Sequence, residues 1–448
     1  MLVRAAAILA AALAVVGPSR ARAFAGFYAG RRAPVRAGES TVVLMRDGDR
    51  TVVSLRIAPG ATDDLALVVP VPGPIDRSAV RTLRPDAFER IDRVSAPRLV
   101  EFWERDPCAP PPPETATTPR VFDNASRPPE ASVEARFAES EYDVAIVRAT
   151  SPDQLLGWLR REGYRAPDGL EAAVRPYADA GHRFLVARID AARLRAEGPS
   201  PLRFHYRAPE LTLPLRLGRL NASGPQELWV HVLARGTRYE AAHRDDVLVP
   251  TNLLMFPTAR ARFGEVYETI IDRVFQRHPD AVATEYAWPA DRCDGCPAHA
   301  LEETDLGTFG RDVIGGPATG FVHTRLHLRL RGDSDDLVLR PGHPIAAGRG
   351  RPAGYGRLSR RVDRRATANA FSTRYAILHG WTRPNRCAHP ARGTWGAPPG
   401  GRRPPALTAP RAIPSPPLRL RRFLDTWAPV LRIPARGDAP RPDQVSAR

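Results

Sequence analysis

The sequence predicts an α+β fold, mainly antiparallel β-sheet with several packed helices. Three observations carry that expectation. Between Leu202 and Phe256 short apolar segments follow one another, with clear period-two alternation in LRFHYRA and WVHVLA. Neighbouring strand patterns are joined by tight-turn residues, which favours hairpins over crossovers. No Gly-rich phosphate loop leads from a strand into a helix, as a doubly wound parallel sheet binding nucleotide would require.

Taken in order, the chain opens with a secretion-type segment. Arg4 gives a positive start, Ala5 to Val16 is an apolar run, and Ala21-Arg22-Ala23 is a small-x-small cleavage site. Residues 1–23 therefore read as a signal peptide. The run is shorter than the roughly 20 apolar residues a membrane-spanning helix needs. No later segment reaches that length, so the mature chain is expected to be exported, periplasmic or extracellular, without a transmembrane helix.

Residues 24–395 follow as a β-rich region of one or two subdomains. Thr41 to Ala58 reads as a hairpin turned by Asp47-Gly48-Asp49, and Asp64 to Pro72 as a central strand ended by prolines. Pro85 to Glu104 has helical spacing, split at Pro97. A Pro/Thr-rich excursion occupies residues 109–130. Val133 to Ala149 looks like a second hairpin. Ser151, Pro152 and Gln154 mark a helix start with a capping box, and a further helix near 169–180 precedes a strand at Arg183–Ile189. Ala259 to His278 is the best single helix, with Phe263, Val266, Ile270 and Val274 on one face. A strand, a Cys-bearing loop, a short helical stretch near 302–313 and two more strands precede Phe371 to Gly380, read as the last core strand.

All 66 basic residues are Arg, which reads as genome composition and makes the pI of 10.8 a weak guide to function. The location of the charge says more. Residues 341–448 carry 21 Arg against four Asp and no Glu, which accounts for the whole net charge of +17. The end of the chain, 396–448, reads as a basic Pro/Arg-rich tail, largely disordered and with one short apolar patch at Phe423 to Leu431, able to touch an anionic envelope surface. An exported protein has no nucleic acid to meet, so none is expected as a partner.

Several segments in order resemble one family. Gly26-Phe27-Tyr28, VVLMRDGDRTVV, LALVVPVP, VSAPRLVEFWERDPC, FAESEYDVAIV, LPLRLG, NASGPQELWVHVLA, VPTN, TEYAW with CDGCP, and RYAILHGW are similar to the bacterial domain of unknown function 2330. The resemblance spans roughly residues 25–395. It implies an exported protein and supplies no activity, cofactor or catalytic residue. Ala25 stands where many members begin the mature region with Cys.

Four cysteines, Cys108, Cys293, Cys296 and Cys387, are disulfide candidates in an oxidising compartment, with three possible connectivities. Cys293 and Cys296 have C-x-x-C spacing. With His299 and Cys387 or His389 they form a zinc-like ligand set, and alone they form a redox pair. A redox or metal-dependent protein centred on that loop is thus the alternative to a non-enzymatic binding or structural scaffold. No catalytic residue, cofactor or established metal site is assigned.

Other constellations favour plainer roles. His323 and His327 lie on a strand pattern, where residues four apart are roughly 13 Å from each other and do not share a metal. Asp63-Asp64, Asp245-Asp246 and Asp335-Asp336 read as turn acids, and Asn124 and Asn221 fit the glycosylation sequon. Tyr286 and Trp288 read as core aromatics beside the Cys loop.

Overall fold

The computed structural model describes residues 21–22, 26–31, 35, 40–56, 64–110, 137–138, 142–192, 199–222, 224–292, 299–331, 334–399 and 406–409. In chain order the elements that build the core are β1 (Phe27–Gly30), β2 (Ser40–Asp47), β3 (Arg50–Arg56), β4 (Leu65–Val71), β5 (Val80–Leu83), α1 (Asp86–Ser95) and β6 (Arg98–Glu104). Then come β7 (Asp143–Arg148), α2 (Pro152–Arg161), α3 (Leu170–Asp179), β8 (Arg183–Ile189), β9 (Leu202–Arg207), β10 (Gln226–Arg235) and β11 (Leu253–Met255). The last are α4 (Phe263–Arg277), β12 (Val282–Pro289), β13 (Phe321–Leu330) and β14 (Arg374–His379).

The fold is α+β and sheet-rich. A long mixed sheet runs β12-β13-β10-β2-β3-β9-β5, extended at both ends by short strands. A second sheet, β1-β4-β8-β7, packs against one of its faces. Between them lies an apolar layer that includes Val42, Leu44, Leu228, Val230 and Leu326 from the long sheet and Leu65, Leu67 and Leu185 from the short one. Helices α2 and α3 cover the outer face of the second sheet through Leu155, Leu159, Leu170 and Val174. Helices α1 and α4 cover the other face of the long sheet. The order is helix, sheet, sheet, helix, so each sheet is buried on both faces.

Most sequence expectations map onto these layers. The hairpin β2–β3 turns at Gly48, with Asp47 opposite Arg50, and Gly48 sits at φ 56, a left-handed conformation that glycine adopts freely. Strand β4 is central in its sheet, as its unbroken apolar run requires. Helix α2 starts at Ser151 and Pro152 as expected, but Ser151 makes no side-chain cap. Gln154 Oε1 instead accepts from the Thr150 backbone N–H at 2.9 Å, one residue earlier than a capping box places it.

Three expectations change. Helical spacing holds only to Ser95, because the residue before Pro97 is driven into extended backbone (Ala96 ψ 147). Leu99, Val100 and Trp103 then lie on β6, paired in parallel with β14. In the expected hairpin at Val133 to Ala149, residues 133–136 and 139–141 lie outside the described residues, and the two described strands have different partners. Phe137–Ala138 adds to β5, while β7 pairs with β8. Phe371 to Gly380 is two strands rather than one: Ala370–Ser372 pairs with β12, and β14 lies in a separate sheet with β11, β6 and Trp395–Gly396. Thr373 marks the switch, donating its backbone N–H (2.9 Å) and its hydroxyl (2.8 Å) to the Glu285 carbonyl.

At the start of the chain Ala21–Arg22, in the expected cleavage site, pairs in parallel with Gln226–Glu227. Leu407–Thr408, within the expected tail, pairs with β6. The excursion from residue 111 onward to 130, and residues 410–448, lie outside the described residues. No helix among the described residues is long and apolar enough to cross a membrane.

Candidate functional site

The inner sheet face under α1 and α4 is not apolar throughout. On β10 the residues pointing that way are Glu227, Trp229 and His231; on β13 they are His323, Arg325, His327 and Arg329. A chain segment alternating charge with Leu looks half-exposed in sequence, yet all ten residues of β13 are buried. The polar row is covered by acids from the helices instead of by water.

A bulge in β12 completes the cluster. Thr284 pairs with Leu326 and Tyr286 with Arg325, which leaves Glu285 as the extra residue. The bulge turns Glu285 and Tyr286 to the same side. Glu285 is fully buried. Its Oε2 accepts from Arg325 Nε at 2.5 Å, and its Oε1 accepts from the Tyr267 hydroxyl and faces His327 Nδ1 at 3.0 Å. The opposite ring nitrogen, His327 Nε2, lies 2.8 Å from Glu227 Oε2. Arg325 also reaches Asp92 on α1. Arg329 donates to Glu227 (2.5 Å) and Asp272 on α4 (2.8 Å).

Two histidines four residues apart on β13 carry opposite protonation. Both nitrogens of His327 face carboxylates, so the ring holds both protons and donates twice. Burial alone opposes that charge, but Glu285 and Glu227 outweigh it and raise the pKa above 6.5. The ring is stacked on Trp229, centroids 4.5 Å apart. His323 pairs with no acid among the described residues, and the nearby charge of Asp92 only partly offsets its burial. Its Nε2 meets His231 Nδ1 at 2.9 Å, Nδ1 has no hydrogen-bond partner among the described residues, and burial with Arg325 alongside pushes its pKa down to about 3. Glu285 is held at about 2: desolvation resists ionisation, and Arg325, His327 and Tyr267 overcome it. Burial and Glu285 hold the Tyr267 phenol well above 10, which makes it a poor nucleophile. The arrangement joins α1, α4 and three strands through ion pairs, with Asp92, Glu227, Asp272, Glu285, Arg325, His327 and Arg329 each paired inside the protein.

A second polar centre closes the far end of β6. Glu104 accepts from Arg392 Nε (2.7 Å) and Nη2 (2.8 Å) and from the Trp381 (2.9 Å) and Gly393 (2.8 Å) backbone N–H groups. The Arg392 hydrogen bond dominates, and the carboxyl is held at about 2. Cys108 and Cys387 form a disulfide over the same segment, Cα atoms 5.5 Å apart.

Of the cysteine-centred ligand set, Cys387 is engaged in that disulfide, and His299 and His389 are exposed. Cys293 and Cys296 lie outside the described residues. Among the described residues no group of three or more His, Cys, Asp or Glu is placed to hold a metal ion. His323 and His327 share a face but serve different partners. The second acid of each pair proves structural. Asp246 accepts from Thr284 Oγ1 (2.6 Å), Asp336 from the Tyr177 hydroxyl (2.6 Å) and the Leu215 N–H (2.9 Å), and Asp64 from the Ala191 N–H (2.8 Å). Asn221 is buried and bonded to Tyr28 and Val35, so it anchors β1 rather than presenting a sequon; Asn124 lies outside the described residues. Tyr286 is core, edge-on to His323.

Sequence reasoning missed Glu227, Glu285, Arg325 and Asn252. Asn252 stands in the VPTN segment, as Glu227 stands in NASGPQELWVHVLA and Glu285 in TEYAW, but nothing in those segments marks the residues as partners. Asn252 has φ 55, the one non-glycine with positive φ among the described residues, and its side chain bonds Arg374, Arg349 O and Ser359 O.

A search of curated proteins finds no match. Two structures of a mutated baculovirus P35 after caspase cleavage superpose with TM-scores of 0.29 at 10% and 8% identity, covering 68% of this chain and 97% and 99% of theirs. A chain from the caspase-8/P35 complex gives 0.27 at 8%, covering 67% and 95%. Superpositions this loose carry no argument. Residues 19–335 match a bacterial family over well more than half of the chain, including the strands that build the ion cluster. The chain therefore belongs to the DUF2330 family, described as uncharacterised protein conserved in bacteria.

Proposed function

We propose that the protein is an exported, non-enzymatic scaffold of the cell envelope whose chemistry-bearing residues serve architecture and whose basic C-terminal part faces an anionic surface. The observation that carries this reading is the closed ion cluster. Glu227, Glu285, Arg325, His327 and Arg329 are all buried and satisfy one another. A reacting acid or base must reach its substrate, whereas the partners of these side chains are one another and Asp92, Tyr267 and Asp272 from the covering helices. Export is supported by the secretion-type residues 1–23 and by the Cys108–Cys387 disulfide, a bond suited to oxidising compartments.

Intact-mass spectrometry of the protein recovered from the producing bacterium, reduced and non-reduced, tests it. The expected species begins after Ala23 or Ala25 and gains hydrogen on reduction of Cys108–Cys387. A full-length cytosolic chain with free thiols defeats the export reading. Turnover of a substrate panel by the purified protein, abolished in Glu285→Gln with the fold intact, defeats the scaffold reading.

A further inference from the structure

The described residues expose three large hydrophobic side chains, Leu254, Phe256 and Tyr355. Tyr355 is 92% exposed. It stands in the middle of Arg349–Arg365, where seven of seventeen residues are arginine, all exposed, against the single acid Asp363. None of the seven forms an ion pair with a described residue.

The loop is nevertheless anchored. Its carbonyls are held by buried donors: Asn252 Nδ2 to Arg349 O (3.2 Å) and Ser359 O (2.7 Å), Arg374 Nη2 to Gly350 O (2.9 Å) and Trp395 Nε1 to Gly354 O (2.9 Å). Asp363 bridges to Ala346 through both backbone bonds at 2.9 Å. The backbone is fixed inward while the guanidinium groups project into solvent.

The strap 381–393, whose Trp381, Arg392 and Gly393 are clasped by Glu104, adjoins it. A Cβ on Gly393 (φ 88) would fall 2.4 Å from Gly354 O, so the two loops touch. The strap adds exposed Arg383 and Arg386 to the same region. Leu254 and Phe256 follow the anchoring Asn252 by two and four residues.

We infer that this face docks on the surface of an anionic phospholipid bilayer. The inference rests on the envelope-scaffold reading and names its partner. Arginines fork onto phosphate oxygens, and clusters of cations gain attraction from anionic lipid that zwitterionic lipid does not provide. The exposed Tyr, Phe and Leu separate a bilayer from a purely anionic polymer, because such side chains enter the headgroup boundary.

Co-sedimentation of the purified, disulfide-intact protein with phosphatidylcholine vesicles, with and without phosphatidylglycerol, tests the inference. Binding is expected only with phosphatidylglycerol and weakens as salt rises. Replacing Arg351, Arg357, Arg360 and Arg361 together by Gln lowers affinity on the order of a thousandfold. The same change at Arg148, Arg160, Arg161 and Arg165, exposed arginines elsewhere, lowers it far less. Tyr355→Ser weakens binding without changing its salt dependence. Equal losses in the two quadruple variants, equal binding to both vesicles, or tighter binding to duplex DNA than to anionic vesicles at the same salt each overturn it. Vesicle binding is read on purified protein, so a failure there leaves the mass-spectrometric test of export standing, and a failure of export leaves the vesicle result standing.

Discussion

His323 and His327 show how far one environment differs from another four residues along a strand. His323 takes a proton at about 3 in the fold and at 6.5 in the unfolded chain. The unfolded state therefore binds the proton first, and stability falls as pH drops from 6.5 toward 3. His327 has a raised pKa, so its contribution is complete below 6.5 and is lost as pH rises through its folded value. Glu285 is lowered to about 2, so its contribution holds above the ordinary carboxylate range and is lost as pH falls toward 2. In His323→Gln, which keeps a polar atom for His231, the stability lost between pH 6.5 and 4 shrinks by about 3 kcal/mol relative to the wild type. Urea midpoints across that range measure it. Glu285→Gln leaves Arg325 and His327 buried without their shared anion and costs roughly 3–5 kcal/mol at neutral pH, read from the same denaturation curves.

At the scale of elements, two fixtures decide local geometry. The helical stretch from Glu303 to Ile314 bends at Gly310, φ 135, where a Cβ would meet the Val52 side chain at 2.7 Å. Arg203 holds the bend to β9 through Gly307 O, Thr308 O and both Asp312 oxygens. Gly310→Ala combines a disfavoured backbone with overpacking and is expected to cost about 2–4 kcal/mol. A double-mutant cycle with Val52→Ala, which removes both Cγ contacts and keeps the Cβ contact, recovers only part of the steric cost and leaves the backbone part. The second fixture is the strap 381–393. Glu104→Ala orphans the Trp381 and Gly393 N–H groups and frees Arg392. Trypsin is expected to cut after Arg386 roughly tenfold faster, because local opening rises while the distant sheets hold; the Arg383–Pro384 bond resists trypsin in either form. Mapping the first cleavage sites by mass spectrometry checks this.

Across the whole molecule the layers are joined by side chains distant in sequence. The Cys108–Cys387 bond closes a separation of 279 residues. Loop-closure entropy for so long a loop sets an upper range near 5 kcal/mol, and measured losses fall at about 2–5 kcal/mol. Replacing both cysteines by Ser is expected to lower stability within that range while keeping the α+β signature in circular dichroism. The β2–β3 hairpin, β4, α4 and β13 were legible because their apolar spacing is set by local period. The ion cluster was not legible, since Glu227, Glu285 and Arg325 come from three strands and become neighbours only through sheet order and one bulge.

The amino-acid sequence alone determined that this protein is sheet-rich α+β, where its tight turns fall, and that it belongs with the family its ordered segments resemble. These follow from interactions between residues close along the chain, which pattern and turn chemistry report directly. Only the tertiary structure decided which strands pair, that a strand rather than a second helix follows Pro97, and that the charged residues of β13 face inward. Burial of a charge depends on what a remote segment brings to it. His327 is stable inside the protein because Glu227 and Glu285 arrive from elsewhere, and no local rule could announce them.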